Sequence, residues 1–254
     1  MNHPGSIEKT HLSVIIPAYN EADRLPSTLS AVIAYLQEQP YRAEVVVVDD
    51  ASTDRTADVA RIQLEKSLIP GKVLENESNR GKGYSVRRGL GEAGGQIRLF
   101  SDADLSTPIR EFDNLRTAIQ QGADIAIGSR ALGESSVEIH QPWYRETMGK
   151  GFNVLVRMIA FGGIRDTQCG FKAMRAEFIE NMIPHLRVDR WGFDVEILFL
   201  ALKKGLRIEE VPVRWRDNPN SRVSLFGDST RMLTDLLRIR WFYHRGVYDA
   251  YLKG

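Results

Sequence analysis

"LSVIIPAYNEADRLPSTLSAVIAYLQEQPYRAEVVVVDD", residues 12–50, is the stretch whose reading decides the fold. It begins with an apolar run, Leu12 to Ile16, closed by Pro17, which suits a buried strand. Leu25, Leu29, Val32, Ile33 and Leu36 then recur at helical spacing, and Pro26 fits a first helical turn. Val45 to Val48 form a second uninterrupted apolar centre. A strand whose side chains do not alternate in polarity is covered on both faces, and strand–helix–strand in this order predicts a parallel pair joined by a crossover helix.

The same alternation continues along the chain. "TDRTADVARIQLEKS" predicts a helix capped by Thr53 or Asp54, with Ala57, Ala60, Leu64 and Leu68 as its buried stripe. "GKVLENE" reads as a third, weaker strand, and "NRGKGYSVRRGLGEAGG" as a Gly-rich loop leading into a helix. "QIRLFSDAD" is a fourth strand, "IREFDNLRTAIQQG" a helix closed by Gly122, and "ADIAIGSR" a further strand. The expected class is α/β, a mostly parallel central sheet flanked by helices. At 254 residues the chain is near the upper limit for one hydrophobic core. The expected division is a flexible N-terminus (1–11), one catalytic domain (12–230) and a C-terminal amphipathic helical extension (231–254).

In such sheets ligands bind beyond the carboxyl ends of the strands. Three of these strands end in polar clusters, "PAYNE", "DDAST" and "DADLS". Asp102 and Asp104 lie two apart, and on an extended chain such side chains point the same way. Like charges on one side repel unless a cation sits between them. Either they form a solvated turn, or they hold a hard divalent cation, Mg²⁺ or Mn²⁺. Mg²⁺ usually shares its ligands with substrate phosphates, which points to a nucleoside diphosphate. Asp49 and Asp50 would accept hydrogen bonds from a base N–H and ribose hydroxyls, while Ser52, Thr53 or Asp54 caps the next helix; both readings can hold at once. "GKG", residues 81–83, puts Lys82 on a flexible loop, where it can meet a phosphate as a point charge.

Composition removes several classes. Lys and Arg number 34 against 33 Asp and Glu, net +1, so there is no global nucleic-acid signal. A lone cysteine, Cys169, excludes an internal disulfide and a Cys-based zinc site, and fits a reducing cytoplasm. No His lies in its motif, so it reads as a packed residue rather than a nucleophile, and the five histidines show no paired metal spacing. "MNHPGSIEKTHLS" lacks the apolar core of a signal peptide, and no run of about 18 apolar residues predicts a spanning helix. The P-loop is absent, since Gly83 and Tyr84 follow Lys82, and "PAYNEA" stands where a GxGxxG fingerprint would.

Taken in order, "SVIIPAYNE", "VVVVDDASTDRT", "NRGKG", "SDADLS" and "GSR" resemble family 2 glycosyltransferases of the GT-A fold. "GIRDTQCGFKAMR" and "RWGFDVEIL" are similar to the branch that makes polyprenyl-phosphate sugars, nearest to the dolichyl-phosphate β-glucosyltransferases. The resemblance covers about residues 12–240. It implies an inverting, metal-dependent transfer of a hexose, glucose from UDP-glucose, onto a polyprenyl or dolichyl phosphate. It implies that Pro17, Ala18, Tyr19, Glu21, Asp49, Asp50, Lys82, Asp102, Ala103 and Gln168 surround the nucleotide sugar. Asp102 and Asp104 would face the metal and diphosphate. Arg130 matches a position that meets the acceptor phosphate, and Arg145 is a second candidate for that role. Arg222 matches the basic residue of a segment that closes over the diphosphate. Three departures from the pattern stand out. The membrane helix that usually precedes the glucosyl enzyme has no counterpart here, Ser106 stands where some mannosyl relatives have a metal-contacting Gln, and Asn220-Ser221-Arg222 replaces Gly-Ser-Lys.

Chemistry sorts the remaining candidates. A sugar hydroxyl needs a general base, but a phosphate monoester already carries a charge of about −1.5 to −2 at pH 7. For the phosphate acceptor, Asp194 is therefore expected to position the donor sugar or orient the acceptor, with base chemistry as the lesser alternative, or simply to sit at a helix N-terminus. Asp166 and Gln168, in a compact polar turn, would touch the sugar or shape its pocket. The C-terminal stretch pairs Arg238, Arg240 and Arg245 with Trp241, Phe242 and Tyr243. That pattern suits a membrane interface at the cytoplasmic face, and equally a helix packed on the domain or on a second subunit in a homodimer. A partner membrane protein is the other route to a lipid. The rival functions are transfer to a soluble hydroxyl, on a glycan or small molecule, and a nucleotide-sugar-binding adaptor without catalysis.

Overall fold

The structure, a computed structural model, describes residues 10–139, 151, 156, 159–216 and 225–254. Seven strands form one sheet: β1 (Leu12–Ala18), β2 (Ala43–Asp49), β3 (Gly71–Glu75), β4 (Ile97–Ser101), β5 (Ile125–Ser129), β7 (Phe171–Arg175) and β8 (Ile208–Pro212), in the order β3-β2-β1-β4-β7-β5-β8. All neighbours are parallel except β7, which runs antiparallel to both β4 and β5. A small parallel pair joins β6 (Ser136–Ile139) to β9 (Arg214–Arg216). The helices are α1 (Leu25–Gln37), α2 (Thr56–Glu65), α3 (Lys82–Glu92), α4 (Phe112–Gln120), α5 (Ala176–Met182), α6 (Phe193–Lys203), α7 (Leu225–His244) and α8 (Asp249–Lys253).

The unbroken apolar strands are explained by two cores. Val14, Ile16, Val45 and Val47 face one layer with Leu29 of α1, Leu64 of α2 and Leu115 of α4. Ile15, Val46 and Val48 face the other, with Val86 of α3, Ile197 of α6 and Leu236 of α7. Successive side chains thus enter different cores, and neither face of the strand needs to be polar. The segment 231–254 belongs to the second core: Leu236, Ile239, Tyr248 and Tyr251 are all buried there.

Several details differ from the sequence reading. The first strand runs through Pro17 to a buried Ala18 instead of ending at the proline. Helix α2 stops at Glu65, so Leu68 is 91% exposed and not part of the stripe. Arg55 occupies the cap position of α2, while the Asp54 carboxylate accepts the Thr56 N–H at 2.9 Å. The "DTQCGFK" segment is more than a turn: from Phe171 it becomes a central strand. Its short, Lys- and Arg-containing sequence hides a strand whose Phe171, Ala173 and Met174 are fully packed. Pro26 in the first turn of α1 and Gly122, at φ 98° after α4, occupy the places their chemistry demands.

Candidate active site

The carboxyl ends of β1, β2 and β4 meet on one edge of the sheet, and because β7 is antiparallel, the loop that enters it arrives at the same edge. A cleft of about 310 Å³ opens there. Pro17, Ala18, Tyr19, Glu21, Asp50, Lys82, Asp102, Ala103 and Asp104 all line it. The strand-end turns are bent in a distinctive way. Among the described residues, the non-glycine residues with positive φ are Asn20 (55°), Ala51 (57°) and Leu105 (47°), one in the segment that follows each of these three strands. Such backbone is unfavourable for Ala and Leu, and it recurs where function over-determines geometry.

The turn after β4 replaces the extended geometry expected for Asp102 and Asp104. The Leu105 N–H donates to the Asp102 carbonyl at 3.2 Å, so the two carboxylates reach the cleft from a turn. The Asp102 N–H donates to the Gly170 carbonyl at 3.1 Å, which ties this turn to the loop before β7. The Ser106 N–H donates to Asp104 at 3.0 Å. Burial, followed by the charge of Asp102, holds the Asp104 carboxyl above its ordinary range.

Lys82 is not on a flexible loop; it is the first residue of α3. Its ammonium lies 2.6 Å from Asp102, with the Phe100 and Trp191 rings within 5.1 Å and 5.2 Å. Burial alone would push its pKa down, but Asp102 and then Asp194 outweigh that and raise it, so the residue is a cation. Asp50 secures the loop that delivers it. Its carboxylate accepts from Asn76 at 2.7 Å, the Arg80 N–H at 3.0 Å and the Gly81 N–H at 2.7 Å. Gly81 has φ 102°, and an added Cβ would meet the Asp189 carbonyl, so only glycine suits the turn. Asp49, beneath the cleft, accepts both the N–H and the hydroxyl of Ser52. Glu21 is engaged by Arg24 at 2.6 Å.

The other predicted residues form a second tier. Arg130 makes a two-pronged pair with the buried Asp166, at 2.7 and 2.9 Å, and stacks over Trp215 at 5.3 Å. Burial alone would raise the Asp166 carboxyl, but Arg130 outweighs it and holds that carboxyl below its ordinary value. The Gln168 amide points to the Met232 sulfur at 3.8 Å. Asp194 lies in the first turn of α6, 4% exposed, and its carboxylate meets Lys172 of β7 at 2.7 Å. Burial raises its pKa, opposed by Lys172 and then Lys82. Cys169 is a packed residue, 1% exposed, its thiol pushed up to about 11 by burial. Arg145 and Arg222 lie outside the described residues.

Reading the sequence overlooked Arg190, Trp191, Asn79 and Ser85, which also line the cleft. It overlooked Lys172 and Gly170 as well. Arg190 and Trp191 sit in "RWGFD", and Asn79 in "NRGKG", inside the motifs but beside Asp194 and Lys82, whose charges carry the clearer signal.

As to metal chemistry, no cluster of three or more His, Cys, Asp or Glu occurs among the described residues. Two hard carboxylates at a cleft fit a divalent cation whose remaining ligands are waters and substrate phosphates, as Mg²⁺ prefers. They do not fit a closed structural site.

The family model described as glycosyl transferase family 2 matches residues 13–183. The dolichyl-phosphate β-glucosyltransferase of Drosophila melanogaster is 40% identical over 249 residues, 93% of this chain and 76% of the relative. The enzyme of the same name from Dictyostelium discoideum is 36% identical over 253 residues, 95% of this chain and 77% of the relative. Among solved structures, mannosyl-3-phosphoglycerate synthase from Rubrobacter xylanophilus superposes with TM-score 0.70 at 19% identity, covering 93% of this chain and 75% of the other. Glucosyl-3-phosphoglycerate synthase from Mycobacterium tuberculosis, solved with Mn²⁺, UDP-glucose and phosphoglyceric acid, gives TM-score 0.65 at 19% identity, covering 91% and 79%. These two structures share its fold.

Proposed function

The chain belongs to glycosyl transferase family 2, with the GT-A fold and glycosyltransferase activity of that family, and from that premise we propose that it transfers glucose from UDP-glucose, with inversion, to a polyprenyl phosphate such as dolichyl phosphate. The observation that carries this reading is the cleft that gathers Asp102 and Asp104, beyond β4, with Lys82, at the start of α3. The names of the relatives supply the sugar and the acceptor class, and the UDP-glucose and Mn²⁺ of the Mycobacterium tuberculosis structure suggest the donor and the ion.

In this reading Pro17, Ala18 and Tyr19 border the nucleotide, and Asp50 works by holding the 76–81 loop in place. Glu21 lines the cleft, held by Arg24, and Asp49 shapes the turn beneath. Asp102 and Asp104 would hold Mg²⁺ or Mn²⁺, and the bound ion would offset the negative charge that grows on the departing diphosphate. Lys82 and Arg190, both at the cleft wall, add fixed positive charge toward the same group. Arg222 is proposed to join them. An oxygen lone pair of the acceptor phosphate forms the new bond to the anomeric carbon from the face opposite the leaving group. The electron pair of the broken carbon–oxygen bond leaves with the β-phosphate of UDP.

The acceptor is already anionic, so no proton has to be removed. That agrees with Asp194, whose carboxylate is buried against Lys172 and so suits positioning better than proton abstraction. Arg130, with 29% of its side chain exposed, is proposed to meet the acceptor phosphate, with Arg145 as second candidate. Gln168 is proposed near the sugar.

The test is a panel of labelled nucleotide sugars with a short polyprenyl phosphate. Label from UDP-glucose should partition into butanol only when the lipid phosphate and a divalent cation are present. Transfer to a sugar hydroxyl at equal rate, or no transfer to lipid from any donor, would overturn the reading.

A further inference from the structure

Helix α7 has one buried side and one open side. Met232, Asp235, Leu236 and Ile239 are buried. On the open side, Leu233, Leu237 and Trp241 are 37%, 55% and 56% exposed, at intervals of four residues, so they form a continuous stripe. Around them Arg231, Thr234, Arg238, His244 and Arg245 are also exposed. From 231 to 245 the sequence holds one acid, Asp235, and that residue is buried beside Gly192. Among the described side chains from 231 to 245, the open face shows apolar and basic groups, and the buried Asp235 reaches it only through Arg238, at 3.8 Å. Beside it lies a cleft of about 460 Å³ whose wall includes Arg80, Arg187, Arg190 and Arg238, with Asp189 and Asp235 as its acids. No helix among the described residues is long and apolar enough to cross a membrane.

We propose that the Leu233–Leu237–Trp241 face of α7 lies on an anionic bilayer, its apolar stripe in the headgroup region and its arginines among the lipid phosphates. The reading rests on the polyprenyl-phosphate acceptor proposed above, since the reacting phosphate then sits at a membrane surface. Charge decides the occupant. An anionic surface favours nearby basic residues by roughly fivefold each. Exposed Trp with flanking Arg suits the interface, where one end is apolar and the other wet. A second copy of the chain fits poorly, because a two-fold contact would set this face against itself and oppose arginine to arginine. The face is also coupled to the cleft: Asp235 packs on Gly192, next to Trp191, which lines the nucleotide pocket.

The experiment is flotation of the full chain with vesicles of pure phosphatidylcholine or of phosphatidylcholine with phosphatidylglycerol, at low and high salt, without sugar donor. The wild type should float with the anionic vesicles at low salt, and be released by salt. Leu237→Glu/Trp241→Glu should lose binding by tenfold or more, and Arg238→Glu/Arg245→Glu should lose its preference for anionic lipid. Both should retain transfer to a short, water-soluble prenyl phosphate, which reports on the proposed function separately and also shows that the variants fold. Wild-type protein that ignores anionic vesicles, or variants that float with them as well as the wild type does, would overturn the proposal. So would a Leu237→Glu/Trp241→Glu variant that turns a dimer into a monomer with vesicle binding unchanged.

Discussion

Gly170 and Asp102 are in such close contact that no side chain fits between them: a β-carbon on Gly170 would overlap the carboxylate of Asp102. The same glycine accepts the Asp102 N–H through its carbonyl at 3.1 Å. The antiparallel strand β7 thus fixes the first acid of "DAD" from the side. Gly170→Ala should push that carboxylate out of place. A misplacement near 1 Å can cost about 10²-fold in rate. Turnover should fall by about that factor, with far-UV circular dichroism unchanged. Full activity in Gly170→Ala would mean that the position of Asp102 does not matter.

Asp104→Asn keeps the shape of the turn, since its amide oxygen can still accept from the Ser106 N–H. It removes one anionic ligand. Lost charge stabilisation of several kcal/mol translates to at least about 10²-fold in turnover. UDP affinity measured with Mn²⁺ and with EDTA should become nearly the same. A variant with wild-type turnover across a Mn²⁺ titration would remove Asp104 from the site.

Lys172 and Asp194 are a buried ion pair at 2.7 Å, with side chains 1% and 6% exposed. Breaking such a pair costs about 3–5 kcal/mol, because one charge remains buried alone. Lys172→Met should show that loss in urea unfolding. Lys172→Met/Asp194→Asn should recover part of it, with a coupling of about 1–3 kcal/mol. If the two changes were simply additive, the pair would carry no mutual stabilisation. If the double variant folds but its KM for donor stays raised, Asp194 also positions substrate.

Apolar runs such as Val45–Val48 announced buried parallel strands because both faces of the sheet are covered. Acids at strand ends announced the edge where the cleft opens. Strand β7 stayed hidden, since Lys172 interrupts its apolar pattern and only the fold shows the partner, Asp194, 22 positions later, that neutralises it. Arg190 and Trp191 were hidden for a related reason: they reach the cleft from a distant segment, and nothing local marks a residue that completes a wall. Asp50 was legible as important, but its carboxylate is occupied by loop amides, a role that only the placement of Gly81 and Arg80 explains.

Glu196 is fully buried, accepting from the Arg187 and Val188 amides at 2.8 and 2.9 Å and from the Tyr248 hydroxyl at 2.7 Å. Burial raises its pKa despite these donors. A raised value means that the native state binds the proton more tightly than the unfolded chain. Its contribution is complete below the ordinary value of 4.5 and is lost as pH rises through the native value. Tyr248→Phe removes a donor to the charged form and raises the native value further. The penalty should be about 1.5–3 kcal/mol at pH 8 and least at pH 4.5. Urea midpoints at the two pH values check this; an equal penalty at both would show that the hydroxyl does not favour the ionised carboxylate.

Arg130 has two connections, a shown one to Asp166 and a proposed one to the acceptor, and one substitution can separate them. Asp166 is held below its ordinary value mainly because the Arg130 charge and hydrogen bonds overcome its burial. A depressed value gives stability that is present above the unfolded value of 3.8 and lost as pH falls through the native one. Arg130→Ala should therefore lower the unfolding midpoint at pH 7, with the difference narrowing as pH falls toward that range. The catalytic effect should appear elsewhere. A charge-assisted contact of about 1.5–3 kcal/mol corresponds to tenfold or more in KM for the lipid phosphate. The Kd for UDP should move by less than about twofold, since the cleft around Lys82 and Asp102 is intact. Arg130→Lys sharpens the comparison, because a lysine keeps the charge but cannot make the two-pronged contact. If lysine restores stability but not the KM for lipid phosphate, the guanidinium meets the acceptor directly. If KM and UDP affinity weaken together in Arg130→Ala, the residue acts through the Asp166 loop and the acceptor assignment fails.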